Sequence, residues 1–288
     1  MSIREKGYHH WDGELLVPRF RWLPIYLNGI KAVIQKKYAK GLLFFTVMPF
    51  VIYLIGIYIS TKPELNMLFQ LVSLLKSEPA FFKSFATNDF LTFMLVIMGI
   101  FLGSDLISGD IKCNSFPLYF SRPLDRMDYI YGKMSILLFY FLMLTLVPNL
   151  LLYILKFIFT GTVSIDPQLL LGLMVTPIVI TFVLASLTLM LSSFSGNNRY
   201  IKIIFFVLYF LSDLLGQVLY EIFKIPYLQL VSIKSNIDQM GAFLFNTTPK
   251  YDFPAVLSLL MMVIVGAGSF YILYKRIGRA EAQIETSN

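Results

Sequence analysis

The chain has 288 residues, of which 57% are hydrophobic and only 14% are charged. A soluble domain is about half apolar and about a quarter charged, so this composition excludes an ordinary soluble globular protein and indicates a chain that lies largely in lipid. Its formal net charge of +7 does not indicate a nucleic-acid partner, because the basic residues flank long apolar segments and so indicate orientation in a bilayer.

The first 40 residues predict a polar arm followed by an amphipathic helix. Pro24 suits a first helical turn because its missing N–H would have no partner there. From Pro24 to Lys40, apolar side chains fall on one helical face and polar or basic side chains on the other. This pattern is typical of an elbow helix that lies in the membrane interface. The alternative is a plain extension of the first membrane span.

Six apolar segments then follow, each close to the length of about 20 residues that crosses the hydrocarbon core. They are residues 41–60, 90–107, 135–160, 168–194, 203–223 and 253–274. The sequence therefore predicts an all-α polytopic membrane protein with six transmembrane helices. Lys156, near one end of the third segment, is expected to extend its ammonium group to the membrane surface. Residues 275–288 are expected to form a mobile polar tail.

The distribution of basic residues predicts the orientation of the six spans. Lysine and arginine are concentrated in residues 1–40, 108–134 and 195–202 and directly after the last span, all on one side of the predicted topology. Because cytoplasmic loops carry the excess of basic residues, we expect a multi-pass protein of the cytoplasmic membrane with both termini in the cytoplasm.

Motifs for catalysis, nucleotide binding and metal binding are absent from the sequence. There is no G-x-x-x-x-G-K-[ST] phosphate loop, no H-E-x-x-H zinc motif and no G-x-S-x-G nucleophile elbow. The single cysteine, Cys113, excludes an internal disulfide and a cysteine metal cluster. We therefore predict no catalytic residue, no metal ligand and no cofactor bound by this chain.

Asp213 is the carboxylate that the sequence places near the middle of a span, with Gln217 four residues later. An ionisable residue inside a membrane is costly, so it is a functional candidate by default. Asp213 could line a substrate path or carry a coupling proton, which would suit an ion-coupled secondary transporter. It could equally be a structural carboxylate that is hydrogen-bonded to a neighbouring helix. The chain shows no repeated half of the kind that many secondary transporters have.

The segment between the second and third spans is polar and compact. Asp110 is expected to cap a short helix that begins at Ile111. Four large side chains follow in a segment predicted to be cytoplasmic: Phe116, Leu118, Tyr119 and Phe120. They either pack back onto the membrane surface or insert into a partner protein.

This segment resembles the one that follows the second span in permease subunits of ABC transporters of the type-2 export class. The resemblance rests on an acidic residue near the span end, a Gly-Asp pair, an aromatic-Ser-Arg-Pro turn and a Tyr-x-x-Gly-Lys start to the next span. In this chain they are Asp105, Gly109-Asp110, Phe120-Ser121-Arg122-Pro123 and the residues from Tyr129 to Lys133. The elbow helix, the six spans and the long loop before the last span resemble the same family.

The resemblance implies a coupling helix from Asp110 to about Tyr119, seated in a groove of a separate ATP-binding subunit. The residues implied in that contact are Asp110, Phe116, Tyr119 and Arg122. ATP and Mg²⁺ would then be bound by the partner, and a second permease, identical or related, would complete the path. The second and fifth spans would line that path, which implies that Asp213 and Gln217 lie near it. A membrane anchor that only assembles other proteins is a further alternative.

Overall fold

A computed structural model describes residues 20–60, 77–120, 124–161 and 166–287, and over these residues the chain is helical without a strand. Within these described residues, six helical segments are long and apolar enough to cross a membrane. Spans 1 to 6 are Lys37–Ile59, Glu78–Lys112, Arg126–Phe159, Pro167–Ser192, Asn198–Phe223 and Ala255–Ala282. The predicted fold class, an all-α polytopic membrane protein, is therefore confirmed.

The helices have bounds that subdivide or extend these spans. They are Leu23–Gln35, Lys37–Ser60, Glu78–Ala86, Asp89–Met98, Ser104–Lys112, Phe116–Phe120, Arg126–Thr160, Pro167–Ser192, Asn198–Phe223, Ile233–Leu244 and Ala255–Ser287, with a π turn at Gly99–Gly103 and a 3-10 helix at Pro226–Val231. Leu23–Gln35 is called the N-terminal helix below, and Phe116–Phe120 the tip helix.

The two ends of the bundle differ in their elements. The basic end holds the N-terminal helix, the tip helix and the turn between spans 4 and 5. The far end holds the helices Glu78–Ala86 and Ile233–Leu244. Spans 2 and 4 are the most buried of the six, and span 5 is the least buried. The main core therefore forms around spans 2 and 4.

The helix of span 6 continues past the membrane segment, where the sequence predicts a mobile tail. Ile277 is buried in the main core, and Glu281 forms an ion pair of 2.9 Å with Arg126 at the start of span 3. Arg276 donates to the carbonyl of Ser193 at 3.2 Å. Residues 275–282 are thus a helical extension packed against the basic end.

Span 2 contains a π turn, Gly99–Gly103, which packs against span 4. A Cβ atom on Gly103 would lie 2.2 Å from Cγ2 of Thr188 and 3.1 Å from Cδ1 of Leu137. Small residues at such crossings let helices approach closely in membranes, where packing itself drives association. The glycine is therefore needed for the contact between spans 2 and 4.

Gly103→Ala is expected to lower the stability of the protein by about 1–3 kcal/mol, the usual cost of overpacking a filled core. Thr188 is β-branched, so its methyl group has little freedom to move away. Gly268→Ala is the matched control, since nothing lies within 4 Å of a Cβ at Gly268 in span 6. Thermal unfolding of both variants in detergent measures the difference. Equal unfolding midpoints for the two variants would contradict close packing at Gly103.

Candidate functional site

A short projection at the basic end connects span 2 to span 3. The helix of span 2 ends at Lys112, a turn follows, and the tip helix Phe116–Phe120 comes next. Asn114 has a positive φ of 50°, the Asn114 amide donates to the Ile111 carbonyl, and the Ser115 amide donates to the Asp110 carbonyl. These two bonds form a Schellman motif, which ends a helix with a residue in the left-handed conformation.

The structure corrects the predicted role of Asp110 as a helix cap. Asp110 lies in the last turn of the helix Ser104–Lys112, and the tip helix begins six residues later at Phe116. The Schellman turn at Asn114 separates the two helices, so no helix runs continuously from Ile111 to Tyr119. Asparagine is the residue other than glycine that often takes this position. Asn114 was therefore the residue in the sequence that could have indicated the end of the helix.

The Asp110 carboxylate instead holds spans 2 and 3 together. Its Oδ2 lies 2.7 Å from Nζ of Lys133 and accepts a hydrogen bond of 2.6 Å from the Tyr129 hydroxyl. Nζ of Lys133 also lies 5.7 Å from the ring centre of Tyr119 and 5.5 Å from that of Tyr129. Asp110, Tyr119, Tyr129 and Lys133 are called the Asp110 cluster below. They connect the end of span 2, the tip helix and the start of span 3.

Burial, and then the nearby Asp110 carboxylate, raise the pKa of the Tyr119 phenol above its ordinary value. A phenol with a raised pKa stays neutral at physiological pH. Tyr119 therefore contributes a neutral aromatic ring beside Lys133, and the Asp110 cluster contains one carboxylate and one ammonium group.

The large side chains of the tip helix divide between the interior and the surface. Phe116 is only 8% exposed and packs against Tyr129, with 5.7 Å between ring centres. Tyr119 also packs on Tyr129, at 5.2 Å. Leu118 is 73% exposed. Phe116 and Tyr119 thus pack inward, and Leu118 is the apolar side chain that this helix presents outward. Arg122 lies outside the described residues.

Asp105 forms a second link at the basic end, one turn before Asp110. Its carboxylate lies 3.3 Å from Nζ of Lys36, which follows the N-terminal helix, and 3.8 Å from Nζ of Lys202 in span 5. Burial lowers the pKa of Lys36, but Tyr38 and Asp105 raise it by more, so the net shift is above the ordinary value. Lys36 is therefore charged, and Asp105 connects the N-terminal helix, span 2 and span 5.

Ser192 of span 4 inserts its hydroxyl group into the backbone of span 2. The hydroxyl accepts from the amides of Ile107 and Ser108, at 3.1 and 3.0 Å, and donates to the carbonyl of Ser104 at 2.7 Å. Ser104 and Ser108 are four residues apart, which is the spacing of a backbone hydrogen bond in an α-helix. The Ser192 hydroxyl therefore bridges the Ser108 amide and the Ser104 carbonyl. Insertion of a side chain at such a place is a recognised origin of helix bends.

Asp213 and Gln217 of span 5 lie together at the far end of the bundle. Asp213 accepts hydrogen bonds from the Ser232 hydroxyl at 2.8 Å and from the Gln217 amide at 3.0 Å. They line a cleft of ≈ 370 Å³, which also contains the ion-paired residues Asp89 and Lys234, 3.1 Å apart. Of the two readings of Asp213, these bonds favour a carboxylate held by a neighbouring segment.

Lys156 of span 3 contacts the helix Glu78–Ala86 at the far end of the bundle. Its Nζ lies 3.0 Å from the carboxylate of Glu78 and within 5.8 Å of the ring centres of Phe81 and Phe82. The side chain is 9% exposed, so it is covered by the protein. A charged group buried to this extent needs a paired partner, and Glu78 at the start of its helix is that partner.

Comparison with known proteins places this architecture in a family. A family model described as "ABC-2 family transporter protein" matches residues 31–278. The matched region extends from the N-terminal helix into the extension of span 6, and it includes the Asp110 cluster and the tip helix. No curated protein matches the chain.

Proposed function

This chain belongs to the ABC-2 family of transporter proteins, and we propose that it is the membrane permease subunit of an exporter driven by a separate ATP-binding subunit. Permeases of this family are membrane components of transporters. The resemblance drawn from the Asp105 to Lys133 segment agrees with the family match. Three points go beyond the family and are part of the proposal: the energy source, the direction of transport, and the orientation of the basic end toward the cytoplasm.

The observation that carries the proposal is the construction of the projection between spans 2 and 3. Its outer surface is exposed at Lys112, Cys113, Asn114 and Leu118. Its inner surface is fixed to spans 2 and 3 through the Asp110 cluster and Phe116. A force applied to the outer surface would therefore move both spans together, as rigid packed elements transmit motion. ATP and Mg²⁺ would be bound by the partner subunit.

A second permease, identical or related, is the other proposed partner. Span 5 is the least buried span, and a row of its apolar side chains is exposed in the single chain. That row faces either lipid or a second copy. If it faces a second copy, the transport path lies between the copies, with Asp213 and Gln217 at its far end.

The alternatives have less support from these contacts. An ion-coupled transporter would use Asp213, whose carboxylate is already hydrogen-bonded to Ser232 and Gln217. An anchor that only assembles other proteins would not need a surface joined so closely to two spans. It would bind a partner without changing the rate at which that partner hydrolyses ATP.

Cys113 offers a direct test, because it is the single cysteine and it is exposed on the projection. The full chain is co-expressed with a candidate ATP-binding cassette subunit and treated in membranes with a short maleimide–diazirine crosslinker, whose maleimide adds to the Cys113 thiol and whose light-generated carbene, formed by loss of N₂, inserts into a neighbouring chain. We expect a crosslink to a chain that carries the G-x-x-x-x-G-K-[ST] motif, and ATP should change its yield. Mass spectrometry identifies the crosslinked peptide.

A relocated thiol supplies the matched control. In the double variant Cys113→Ser/Lys224→Cys the cysteine lies at the far end, where Lys224 is exposed, and it should give no crosslink to that chain. A crosslink from position 224 but not from position 113 would overturn the proposal. A crosslink at position 113 without any effect of the permease on ATP hydrolysis would favour the anchor.

A further inference from the structure

A second cleft, of ≈ 280 Å³, adjoins the polar cleft that contains Gln217 at the far end of the bundle. Its walls come from the helix Asp89–Met98 of span 2 and from span 5, and the two clefts share three lining residues: Asp89, Asp213 and Lys234. The other residues that line the second cleft are all aromatic: Phe90, Phe93, Tyr209 and Phe210. It is called the aromatic cleft below.

Helical spacing places a carboxylate and an aromatic ring on the same face of each of the two helices. Residues four apart are neighbours on the surface of an α-helix. Asp89 is four residues before Phe93, and Tyr209 is four residues before Asp213. The rings of Phe93 and Phe210 meet with 6.0 Å between their centres and 72° between their planes, which is a preferred edge-to-face arrangement. The aromatic walls from the two spans are thus joined, with both carboxylates beside them.

The charged groups that line the aromatic cleft include one more carboxylate than ammonium groups. Lys234 lies 3.1 Å from the Asp89 carboxylate and balances its charge. Within the described parts of the chain, no lysine or arginine nitrogen lies within 4.0 Å of the Asp213 carboxylate. Its hydrogen-bond donors, Ser232 and Gln217, are uncharged and bind one oxygen each. Since each carboxylate oxygen accepts about two bonds, Asp213 can receive a cation and keep both donors.

The polar cleft does not supply the counter-charge for Asp213. Its further carboxylate, Asp238, is paired with Lys83 at 3.1 Å. Lys250 also lines it, but this side chain is exposed and its ammonium group lies 5.4 Å from the ring centre of Tyr251. An exposed ammonium group is hydrated and screened by salt. The uncompensated charge at Asp213 therefore belongs to the aromatic cleft.

We propose that the aromatic cleft binds an organic ammonium ion, with its charged group at the Asp213 carboxylate and against the aromatic walls. Aromatic rings attract such cations to within about 6 Å of the ring centre, and quaternary ammonium groups are recognised in this way. The ion is either free or part of a lipid headgroup, since both carry the same ammonium chemistry. That it also passes along the transport path rests on the proposed function. Binding itself requires neither the ATP-binding subunit nor a second permease, so its failure would leave the proposed function standing.

A scintillation proximity assay on the purified full chain in an uncharged detergent tests the binding. Radiolabelled phenyltrimethylammonium is the probe, and benzyl alcohol, benzenesulfonate and glycerophosphocholine are competitors in separate arms. We expect saturable binding of one probe per chain, with competition by benzyl alcohol and benzenesulfonate at least tenfold weaker than by unlabelled probe. Glycerophosphocholine joins a trimethylammonium group to a phosphodiester. If it competes better than the unlabelled probe, the ligand is a lipid headgroup, and if it competes less well, the ligand is a free cation.

Two pairs of variants locate the binding in the aromatic cleft. Asp213→Asn keeps the size of the side chain but removes its charge, so it should weaken probe binding at least tenfold. Asp252→Asn, at an exposed position outside both clefts, should not. Phe210→Leu removes an aromatic wall and should also weaken binding, whereas Phe223→Leu at the exposed end of the same span should not.

Unfolding midpoints show which variants are folded, and the Phe210 pair tests the cleft even if Asp213→Asn does not fold. Absence of saturable binding, competition by benzenesulfonate equal to that of the unlabelled probe, or equal effects within each pair of folded variants would each overturn the proposal.

Discussion

Replacing Lys133 with methionine is expected to destabilise the protein by about 3 kcal/mol or more, a large part of the total stability of a folded chain. Lys133 is 7% exposed, and its Nζ lies 2.7 Å from the Asp110 carboxylate. Methionine has a similar length but no charge, so the variant leaves Asp110 with the Tyr129 hydroxyl as its described partner. Breaking one side of a buried ion pair costs more than the pair itself contributes, because an uncompensated charge remains.

The measurement is the thermal unfolding midpoint of Lys133→Met in detergent, together with the yield of monodisperse protein. Lys40→Met is the matched control, because Lys40 is exposed at the same end and exposed charges contribute little. Adding Asp110→Asn to Lys133→Met should recover part of the loss by removing the unpaired charge. A midpoint for Lys133→Met equal to that of Lys40→Met would show that the pair does not hold the basic end together.

The membrane architecture follows from the sequence because hydrophobic length is a strong local signal. Each span needs about 20 apolar residues whatever its neighbours are, so six long apolar runs were enough to predict the class. The family was also visible, since the turn from Phe120 to Pro123 and the start of span 3 lie together in the chain. Neither inference required knowledge of which helices touch.

The placement of the site residues depends on contacts between distant parts of the chain. An aspartate near a helix end is favourable as a cap, and the sequence alone could not show that Lys133, 23 positions later, would attract Asp110 instead. Lys156 likewise has its partner Glu78 between the first two predicted apolar segments, more than 70 positions earlier in the chain. Asp213 seemed isolated in a span, because nothing in the sequence indicated that Ser232 would fold back against it.

A substitution on the exposed side of the tip helix should weaken partner binding and leave the fold intact. Leu118→Asp is expected to weaken binding of the proposed ATP-binding subunit at least tenfold, which corresponds to about 1.4 kcal/mol. Leu118 is 73% exposed in the single chain, so an aspartate there is solvated until a partner covers it. Burying that carboxylate in an interface without a partner charge is costly.

Leu118→Met is the matched control, since it keeps an apolar side chain of similar volume. The dissociation constant of the purified subunit and the stimulation of its ATP hydrolysis are measured for both variants, alongside their unfolding midpoints. Equal midpoints with a selective loss of binding for Leu118→Asp would assign the residue to docking. Unchanged binding would place the docking surface elsewhere.

The variants at Lys133 and Leu118 test two different properties of the projection. One is binding of the partner subunit, and the other is transmission of force to spans 2 and 3. Lys133 lies in span 3 and contacts the inner surface of the projection through Tyr119. Leu118, the residue before Tyr119, lies on the outer surface. If the projection acts as a rigid lever, Leu118→Asp should weaken binding at least tenfold and leave the stability unchanged. Lys133→Met, at temperatures where it remains folded, should still bind the subunit but fail to couple ATP hydrolysis to movement of spans 2 and 3. A Lys133→Met protein that binds and couples normally would mean that force passes to the spans by contacts outside the Asp110 cluster.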